Sequence, residues 1–388
     1  MTTVNLLVPG LANLQDLARA LHAAGHLNLF AYSHALRTTP ASLGLPDTRA
    51  VNLPLKEHLV RAHLMAFGWA LSDRLFPLYY KLWSKGVLSR WSDAAVTHVL
   101  LWGAAIPVLR AAKHRGSTTL GLVVNAHPRV LDRLLDDEAD RLGVTRRHRQ
   151  RRLDDAILGE VALCDHLHAE SEFTRQSYIA QGFPPDRIHV GRRANDMSRF
   201  HPASAEERLP DDGRFRVICV GYVSLRKGQV HLLEAWRRLA LPNAELTLIG
   251  SISDEIKALL RPYAGLFTHV KSVPNQHLRG HFLRSSVAVT PSIEDGYAMV
   301  VGEALCCGVP VITTTNTGAA ELIRDGVNGY VVAPSSPEAI AEKLLALHGD
   351  RALLTRLGAG ARATIPAIGS WTERAGELVD LYRRIARQ

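Results

Sequence analysis

Short apolar runs alternate with amphipathic stretches along this chain, and that alternation restricts the fold more than any other feature. Runs such as VNLLVPG, VTHVLLWG, FRVICVG and PVITTT are rich in Val, Ile and Leu, with few polar residues between them. Such runs are typical of parallel strands that are covered on both faces. The stretches between them, for example residues 13–23 and 106–114, predict helices. We therefore expect an α/β protein built from repeated βα units.

The length and one polar segment predict two domains. A chain of 388 residues exceeds what one hydrophobic core usually fills. Residues 194–214 are poor in apolar side chains and have the composition of a linker. We expect a Rossmann-like, doubly wound domain at 1–195 and a second at 196–369, with a last helix at 370–388 crossing back onto the first. Ligands bind outside the carboxyl ends of parallel strands, so the two domains should face each other across a binding cleft.

Charge and cysteine content restrict the partners and the compartment. The net charge of +9 and the pI near 9.6 favour anionic partners such as nucleotides and phosphates. The basic residues form no nucleic-acid recognition motif, so no nucleic acid is expected as a partner. The four cysteines form no CxxC pair and are typical of a reduced protein. The start resembles no signal peptide and no window is apolar enough to span a membrane, so we expect a cytoplasmic protein.

The segment VGYVSLRKGQVHLLEAW, residues 220–236, has the pattern of a phosphate site. A strand ends at Gly221, a loop follows, and a helix begins near Gly228. Arg226 and Lys227 stand where the first N–H groups of that helix are unsatisfied. Two cations beside a helix N-terminus suit a phosphate or diphosphate. A pair of basic residues in a solvent-facing turn is the alternative interpretation.

The segment PSIEDGYAMVVGEALCCGVPVITT, residues 291–314, places acidic groups beside a helix start. Asp295 ends the strand, Gly296 makes the turn, and Glu303 lies eight residues beyond Asp295, within the following helix. Carboxylates accept hydrogen bonds from the hydroxyls of ribose or hexose, and helix-start amides bind phosphate. The ligand that needs both is a nucleotide sugar. A capped helix with solvated acids is the alternative.

The second half of the chain resembles the donor domain of retaining glycosyltransferases of family four, the glycosyl transferases group 1, which have the GT-B fold. The resemblance is carried by GYVSLRKGQVHLLEAW, PSIEDGYAMVVGEALCCGVPVITT and NTGAAELIRDGVNGYVV, and it covers about residues 215–345. It implies transfer of a sugar from a nucleotide-diphosphate sugar to an acceptor, with retention at the anomeric carbon. It also implies that neither a metal ion nor a separate cofactor takes part.

The resemblance assigns roles to individual residues. Asp295 would contact the donor sugar and Glu303 the nucleotide ribose, while Lys227 and Arg226 would neutralise the leaving diphosphate. His127, at the end of a strand in the first domain, would line the cleft near the transferred sugar. The remaining donor contacts implied are Gly10, Gly221, Gly296, Tyr297, Ala298, Met299 and Glu321.

This sequence departs from the family pattern at two positions. The first acid of the motif is Asp295, where the family usually has Glu, and Glu294 stands directly before it. The shorter side chain reaches less far towards the donor sugar. Tyr222 occupies a position where the family often has Arg, so one phosphate contact is either absent or supplied by Arg226.

Other functions and partners remain open at this stage. A GT-B nucleotide-sugar epimerase or phosphorylase and a basic, non-catalytic nucleic-acid binder are the alternatives. The acceptor could be a glycan, a lipid-linked molecule or a small metabolite. Residues 58–91 mix aromatic and basic side chains, and residues 146–152 read RRHRQRR. These features could support peripheral contact with the inner face of a membrane, or they could be an ordinary core helix and a solvated basic helix.

Overall fold

The protein consists of two parallel sheets, each covered by helices on both faces. The computed structural model describes residues 2–11, 13–34, 38–68, 70–146, 151–204, 207 and 212–386. The first sheet has seven strands in the order β3-β2-β1-β4-β5-β6-β7, and the second has six in the order β10-β9-β8-β11-β12-β13. Every strand pair in both sheets is parallel. The predicted α/β class is therefore present in both halves of the chain.

The first half contributes seven strands and seven helices. The strands are β1 (Val4–Val8), β2 (Leu27–Tyr32), β3 (Ala50–Asn52), β4 (Val96–Leu100), β5 (Thr118–Val123), β6 (His166–Ala169) and β7 (Ile188–Val190). The helices are α1 (Gln15–Ala23), α2 (Leu55–Phe67), α3 (Ser72–Leu88), α4 (Ile106–His114), α5 (Pro128–Leu142), α6 (Arg151–Val161) and α7 (Glu172–Ile179).

The second half contributes six strands and eight helices. The strands are β8 (Phe215–Val220), β9 (Ala244–Ile249), β10 (Thr268–Val270), β11 (Val287–Thr290), β12 (Val311–Thr314) and β13 (Gly329–Val332). The helices are α8 (Gln229–Leu239), α9 (Lys257–Leu260), α10 (Asn275–Leu283), α11 (Met299–Cys306), α12 (Pro337–Gly349), α13 (Arg351–Ala363), α14 (Ile365–Ile368) and α15 (Trp371–Ile385).

Each sheet separates two hydrophobic clusters because successive side chains of a strand point to opposite faces. In β1, Val4, Leu6 and Val8 join the cluster on one face, while Leu7 joins the cluster on the other. The strands therefore bury both faces, which explains why the sequence shows apolar runs without alternation. The four cysteines are buried in these cores as free thiols.

The strand order places a binding cleft between the two sheets. In each sheet the order reverses beside the first strand, between β1 and β4 and again between β8 and β11. Ligands of open α/β sheets bind at such points, outside the carboxyl ends of the strands. The segments after β5 and after β11 touch each other here, since the backbone N–H of Ala126 donates to the carboxylate of Glu294 at 2.8 Å. The carboxyl edges of the two sheets thus face each other.

The last helix packs against the first half of the chain. Leu378, Val379 and Tyr382 of α15 belong to the same buried cluster as β1 and α1. Helix α15 therefore crosses back onto the first sheet, although residues 387 and 388 of the expected helix lie outside the described residues. The domain boundary that we place between residues 195 and 196 stays a prediction.

A buried hydrogen-bond chain ties α15 to the first sheet. The Tyr382 hydroxyl is 2.8 Å from His98 Nδ1, His98 Nε2 is 3.1 Å from His168 Nδ1, and His168 Nε2 is 2.8 Å from the Gly191 carbonyl oxygen. Burial lowers the pKa of His168 to about 4 and that of His98 well below its ordinary value, so both rings are neutral. The carbonyl can only accept, so each ring donates from Nε2 and His98 accepts from Tyr382.

Replacing Tyr382 with Phe should destabilise the protein, because it leaves His98 Nδ1 buried without a donor. We expect the free energy of unfolding in urea to fall by about 1–3 kcal/mol. Tyr222→Phe, at a side chain that is 52% exposed, serves as the control and should change the unfolding free energy by less than about 0.5 kcal/mol. Equal unfolding midpoints for the two variants would contradict a stabilising role of this buried hydrogen-bond chain.

Candidate active site

The turn after β8 brings two cations against the loop after β11. Leu225–Lys227 form one 3-10 turn, and Gly228 follows in the left-handed region with a φ of 65°. A Cβ atom on Gly228 would lie 2.1 Å from the carbonyl oxygen of Pro291, so only glycine permits this packing. The carbonyl of Arg226 accepts the backbone N–H of Ile293 at 2.9 Å. These contacts hold both cations beside the two acids that follow Ile293.

Glu294 is fully buried and joins the two halves of the cleft. One carboxylate oxygen accepts from Arg226 Nε at 2.6 Å, and the other accepts from the backbone N–H of Ala126 at 2.8 Å. Arg226 Nη2 also donates to Asn125 Oδ1 at 2.8 Å. A buried carboxylate requires such charged and polar partners. The sequence motif assigns no role to Glu294 or Asn125. The only sequence feature that pointed to either residue was that Glu294 directly precedes Asp295.

Asp295 forms an ion pair with Lys227 and accepts a hydrogen bond from the residue that precedes the next helix. Lys227 Nζ lies against one oxygen of the carboxylate, and the other oxygen accepts the backbone N–H of Ala298 at 3.0 Å. Burial alone would raise the pKa of Asp295, but Lys227 and Arg226 outweigh it and hold the pKa below its ordinary value. Asp295 is therefore ionised, and it holds Lys227 close to the start of α11.

Gly296 is required by contact with the first half of the chain. A Cβ atom there would lie 1.9 Å from the carbonyl oxygen of Val124. The carbonyl of Gly296 accepts from Ser171 Oγ at 2.6 Å. The glycine was predicted to let the backbone approach a ligand, but the space beside its Cα holds backbone of the facing segment. Glycine is therefore required at position 296 because the two loops pack closely there.

The start of α11 offers backbone N–H groups to the cleft. Ala298 precedes the helix in the left-handed conformation, with φ of 59° and ψ of 73°. Met299 and Val300 are the first helical residues, and the N–H groups of a first turn have no partner within the helix. Together with the helix dipole, they favour an anion at this end. Lys227, fixed to the same turn through Asp295, adds a cation beside them.

Glu303 is the acid of this site that burial keeps partly neutral. Burial raises its pKa to about 7, although the positive charge of Arg199 acts in the opposite direction. Among the described residues, no hydrogen-bond or ion-pair partner lies within reach of its carboxylate. Gly302 permits close packing of Asn195 beside it, since a Cβ atom there would lie 2.2 Å from Asn195 Oδ1. Glu303 is thus a carboxylate with capacity for hydroxyl groups.

Tyr297 and Glu321 connect the two halves of the chain. The Tyr297 hydroxyl donates to the carbonyl of Arg193 at 3.1 Å. Glu321 accepts from the backbone N–H of Glu172 at 2.5 Å and from Arg192 Nη2 at 2.6 Å. Both residues were predicted to contact the donor, and here their side chains are occupied by the first half of the chain. Their place in donor binding stays a prediction.

His127 lies on the opposite wall of the cleft. It directly precedes α5, and its Nδ1 accepts the backbone N–H of Arg129 at 3.2 Å. Its own backbone N–H donates to Ser177 Oγ at 2.8 Å. Burial, aided by Arg129, lowers the pKa of His127 to about 4, so the ring is neutral near pH 7. Because Nδ1 is an acceptor, the proton of the neutral ring is on Nε2.

A small, mainly apolar cavity opens beside Asn125 and Ala126. Its volume is about 170 Å³. The cavity is lined by side chains from the ends of β4 and β5 and from α5, α6 and α7, namely Leu101, Trp102, Leu131, Leu153, Asp154, Ile157 and Tyr178. Burial and neighbouring aspartates raise the pKa of Asp154 to about 6, with Arg146 opposing them. The cavity shares Asn125 with the Arg226 contact, so it adjoins the side of the cleft where Arg226 lies.

The two remaining glycines lie at strand ends. Gly10 follows β1, and a Cβ atom there would meet nothing within 4 Å. Gly221 follows β8 with a φ of 144°, a conformation that L side chains rarely adopt. The backbone therefore requires glycine at position 221, whereas open space surrounds position 10. Across the described parts of the chain, no cluster of three or more His, Cys, Asp or Glu residues could hold a metal ion.

The second half of the chain is similar to proteins of a known family. Residues 201–364 match the family model of glycosyl transferases group 1. D-inositol 3-phosphate glycosyltransferase 1 of Catenulispora acidiphila is 29% identical over 58% of this chain and 60% of its own length. Alpha-maltose-1-phosphate synthase of Mycolicibacterium smegmatis is 26% identical over 52% of this chain and 58% of its own. The chain thus spans about three fifths of these relatives, and the predicted family resemblance is confirmed.

Solved structures show the same fold over the whole chain. Sucrose-phosphate synthase from Thermosynechococcus elongatus superposes with a TM-score of 0.74, at 18% identity, over 99% of both chains. Anabaena HepE in complex with UDP superposes with a TM-score of 0.69, at 14% identity, over 99% of this chain and all of its own. The predicted GT-B architecture of two facing Rossmann-like domains is therefore confirmed.

Replacing Arg226 with Ala should destabilise the protein, since Glu294 would remain buried without its cation. We expect the free energy of unfolding to fall by about 2 kcal/mol, because the side chain of Arg226 is 29% exposed and the full cost of breaking a buried pair is reduced. Arg237→Ala removes an ion pair from a side chain that is 52% exposed and should cost less than about 1 kcal/mol.

A second variant separates the charge effect from lost packing. Arg226→Ala/Glu294→Gln removes the unpaired charge and should recover part of the stability lost in Arg226→Ala. Urea unfolding of the three proteins measures this difference. Equal stability of the single and double variants would show that the buried charge of Glu294 is not the cause.

Proposed function

We propose that this chain, whose residues 201–364 match glycosyl transferases group 1, transfers a sugar from a nucleotide-diphosphate sugar to an acceptor held by the first domain. The observation that carries the proposal is the convergence of Arg226, Lys227 and the start of α11 on one end of the cleft. Two fixed cations and a helix N-terminus are suited to a diphosphate. Glu303, farther along α11, would accept the ribose hydroxyls.

Charge stabilisation on the leaving diphosphate is the main task of such a site. Breaking the bond from the anomeric carbon to the phosphate oxygen leaves negative charge on the diphosphate and builds oxocarbenium character on the sugar. Lys227 has three N–H donors, so it can keep its ion pair with Asp295 while it donates to the diphosphate. Donors that are fixed in advance need no reorganisation as the charge develops.

We propose retention of the anomeric configuration through attack from the face of the leaving group. The acceptor oxygen forms the new bond to the anomeric carbon, and its proton passes to the leaving phosphate oxygen. Ionised Asp295 then lies near the positive charge of the sugar, and His127 offers its Nε2 proton to a sugar hydroxyl. No metal ion, separate cofactor or protein nucleophile is part of this proposal.

A uridine nucleotide is our first choice of donor. Two of the solved structures that share this fold are complexes of Anabaena HepE with UDP and with UDP-glucose. Their low identity to this chain leaves the base and the sugar as part of the proposal. On the acceptor side, the cavity beside Asn125 has a mainly apolar lining, which favours an acceptor that carries an apolar group.

We also retain a cytoplasmic location as a proposal. The buried, free cysteines are in keeping with a reducing compartment. Within the described ranges, none of the helices combines the length and the apolar character that a bilayer crossing requires.

Lys227→Ala should weaken binding of a nucleoside diphosphate, because it removes a charge-assisted hydrogen bond to phosphate. We expect the dissociation constant for UDP to rise by about 10- to 100-fold in isothermal titration calorimetry. Lys257→Ala, at a side chain that is 62% exposed in the same domain, should bind within about twofold of the wild type. Unchanged UDP affinity in a folded Lys227→Ala protein would reject the diphosphate role.

The affinity for UDP-glucose should rise with pH through the pKa of Glu303. The carboxylate must be ionised to accept two ribose hydroxyls, and burial holds its pKa at about 7. Affinity should therefore increase by up to about tenfold between pH 6 and pH 8. The diphosphate of UDP-glucose has no group that titrates in this range. Glu303→Gln should bind more weakly with a flat pH profile, and a flat profile in the wild type would contradict the assignment.

A further inference from the structure

We propose that the hairpin formed by α2 and α3 docks on a membrane surface that carries anionic lipids. The two helices pack against each other and are joined by residues 68–71. Of the ten large apolar side chains that are exposed among the described residues, half belong to this hairpin and the remainder are scattered over the chain. The five are Leu55, Met65, Phe67, Leu71 and Leu78. The hairpin is thus the main concentration of exposed apolar side chains.

The most exposed apolar side chains lie where the two helices join. Met65 is 89% exposed, Phe67 is 63% exposed and Leu71 is 57% exposed. Met65 and Phe67 end α2, and Leu71 directly precedes α3. Full burial of these side chains would be favourable, and the described residues of the chain do not cover them. Their position suits shallow insertion of the hairpin end into an apolar layer.

The backbone at Leu71 adds a second observation. Leu71 has a φ of 59°, the left-handed conformation that costs an L residue about 1–2 kcal/mol. A branched side chain held there is normally fixed by packing, yet this one is exposed. The turn therefore presents an apolar side chain to solvent at a cost in conformational energy. Burial of the Leu71 side chain in a bilayer would offset part of that cost.

The charges around the apolar side chains are positive. The exposed charged residues of α2 and α3 are Arg61, Arg74, Lys81 and Lys85. The acids of the hairpin, Glu57 and Asp73, are only partly exposed. Glu57 pairs with Lys56, and Asp73 accepts the backbone N–H of Arg152 at 2.9 Å. The surface thus combines cations with apolar groups, as membrane-surface helices do.

The Asp73 contact brings two separate sequence features together. Arg152 belongs to the run RRHRQRR, of which residues 147–150 lie outside the described residues. Arg151 and Arg152 are exposed at the start of α6, beside the hairpin. Each basic residue near an anionic bilayer contributes about 1 kcal/mol of attraction. Arg151 and Arg152 therefore extend the positive surface, and α6 also lines the apolar cavity of the cleft.

The aromatic residues that suggested a membrane contact in the sequence have a different role. Phe76, Tyr80 and Trp83 are buried in the core of the first domain. Trp69 lies outside the described residues. The proposal rests instead on the exposed side chains of Met65 and Phe67 and on the exposed basic side chains of the hairpin.

Co-sedimentation with vesicles tests the proposal. The full chain should bind vesicles of phosphatidylcholine mixed with an equal amount of phosphatidylglycerol, and bind pure phosphatidylcholine at least about tenfold more weakly. Added salt should weaken the binding, because it screens the attraction. Met65→Ser/Phe67→Ser should reduce partitioning into the mixed vesicles by at least about tenfold.

A matched control uses exposed apolar side chains of the second domain. Val327 is 50% exposed and Leu345 is 53% exposed, so Val327→Ser/Leu345→Ser removes two exposed apolar side chains away from the hairpin. This variant should bind like the wild type. The proposal is overturned if the wild type does not sediment with mixed vesicles, or if both double variants lose binding equally. It is also overturned if the hairpin variant converts a dimer in solution to a monomer without changing vesicle binding, since the face would then cover a second copy.

Discussion

The buried carboxylate of Glu294 is the contact on which the arrangement of the cleft depends. It accepts from Arg226 on one side and from the backbone of Ala126 on the other, so it connects loops that end strands of two different sheets. A carboxylate without water around it is stable only with such partners. The facing loops can approach this closely because Gly296 has no side chain to meet Val124.

The same loops prepare the cleft for an anion. Lys227 and Asp295 neutralise each other, and Asp295 also accepts the N–H of Ala298 directly before α11, so the cation and the helix start are held together. A diphosphate that enters would find donors already in place, which is the condition under which electrostatic stabilisation is most effective. Glu303 differs from these acids because the positive charge of Arg199 does not offset its burial, and its pKa is raised to about 7.

The first domain contributes the more individual features of this protein. An apolar cavity lies between α6 and the ends of β4 and β5, and the exposed hairpin of α2 and α3 contacts the start of α6 through Asp73. An acceptor with an apolar group and a docking surface for an anionic membrane would be neighbours in this arrangement. The second half of the chain, in contrast, matches the family model of glycosyl transferases group 1 along most of its length.

The sequence by itself determined the two α/β domains and the donor motif, because apolar periodicity, glycine turns and clustered charges are local properties. Residues 106–114, for example, form α4 as predicted. Only the tertiary structure decided that Glu294 and Asn125 hold Arg226, and that Tyr297 and Glu321 bond across the cleft. It also decided which hairpin side chains are buried. These outcomes depend on which distant segments meet, and no local pattern in one chain encodes the partner of a buried charge.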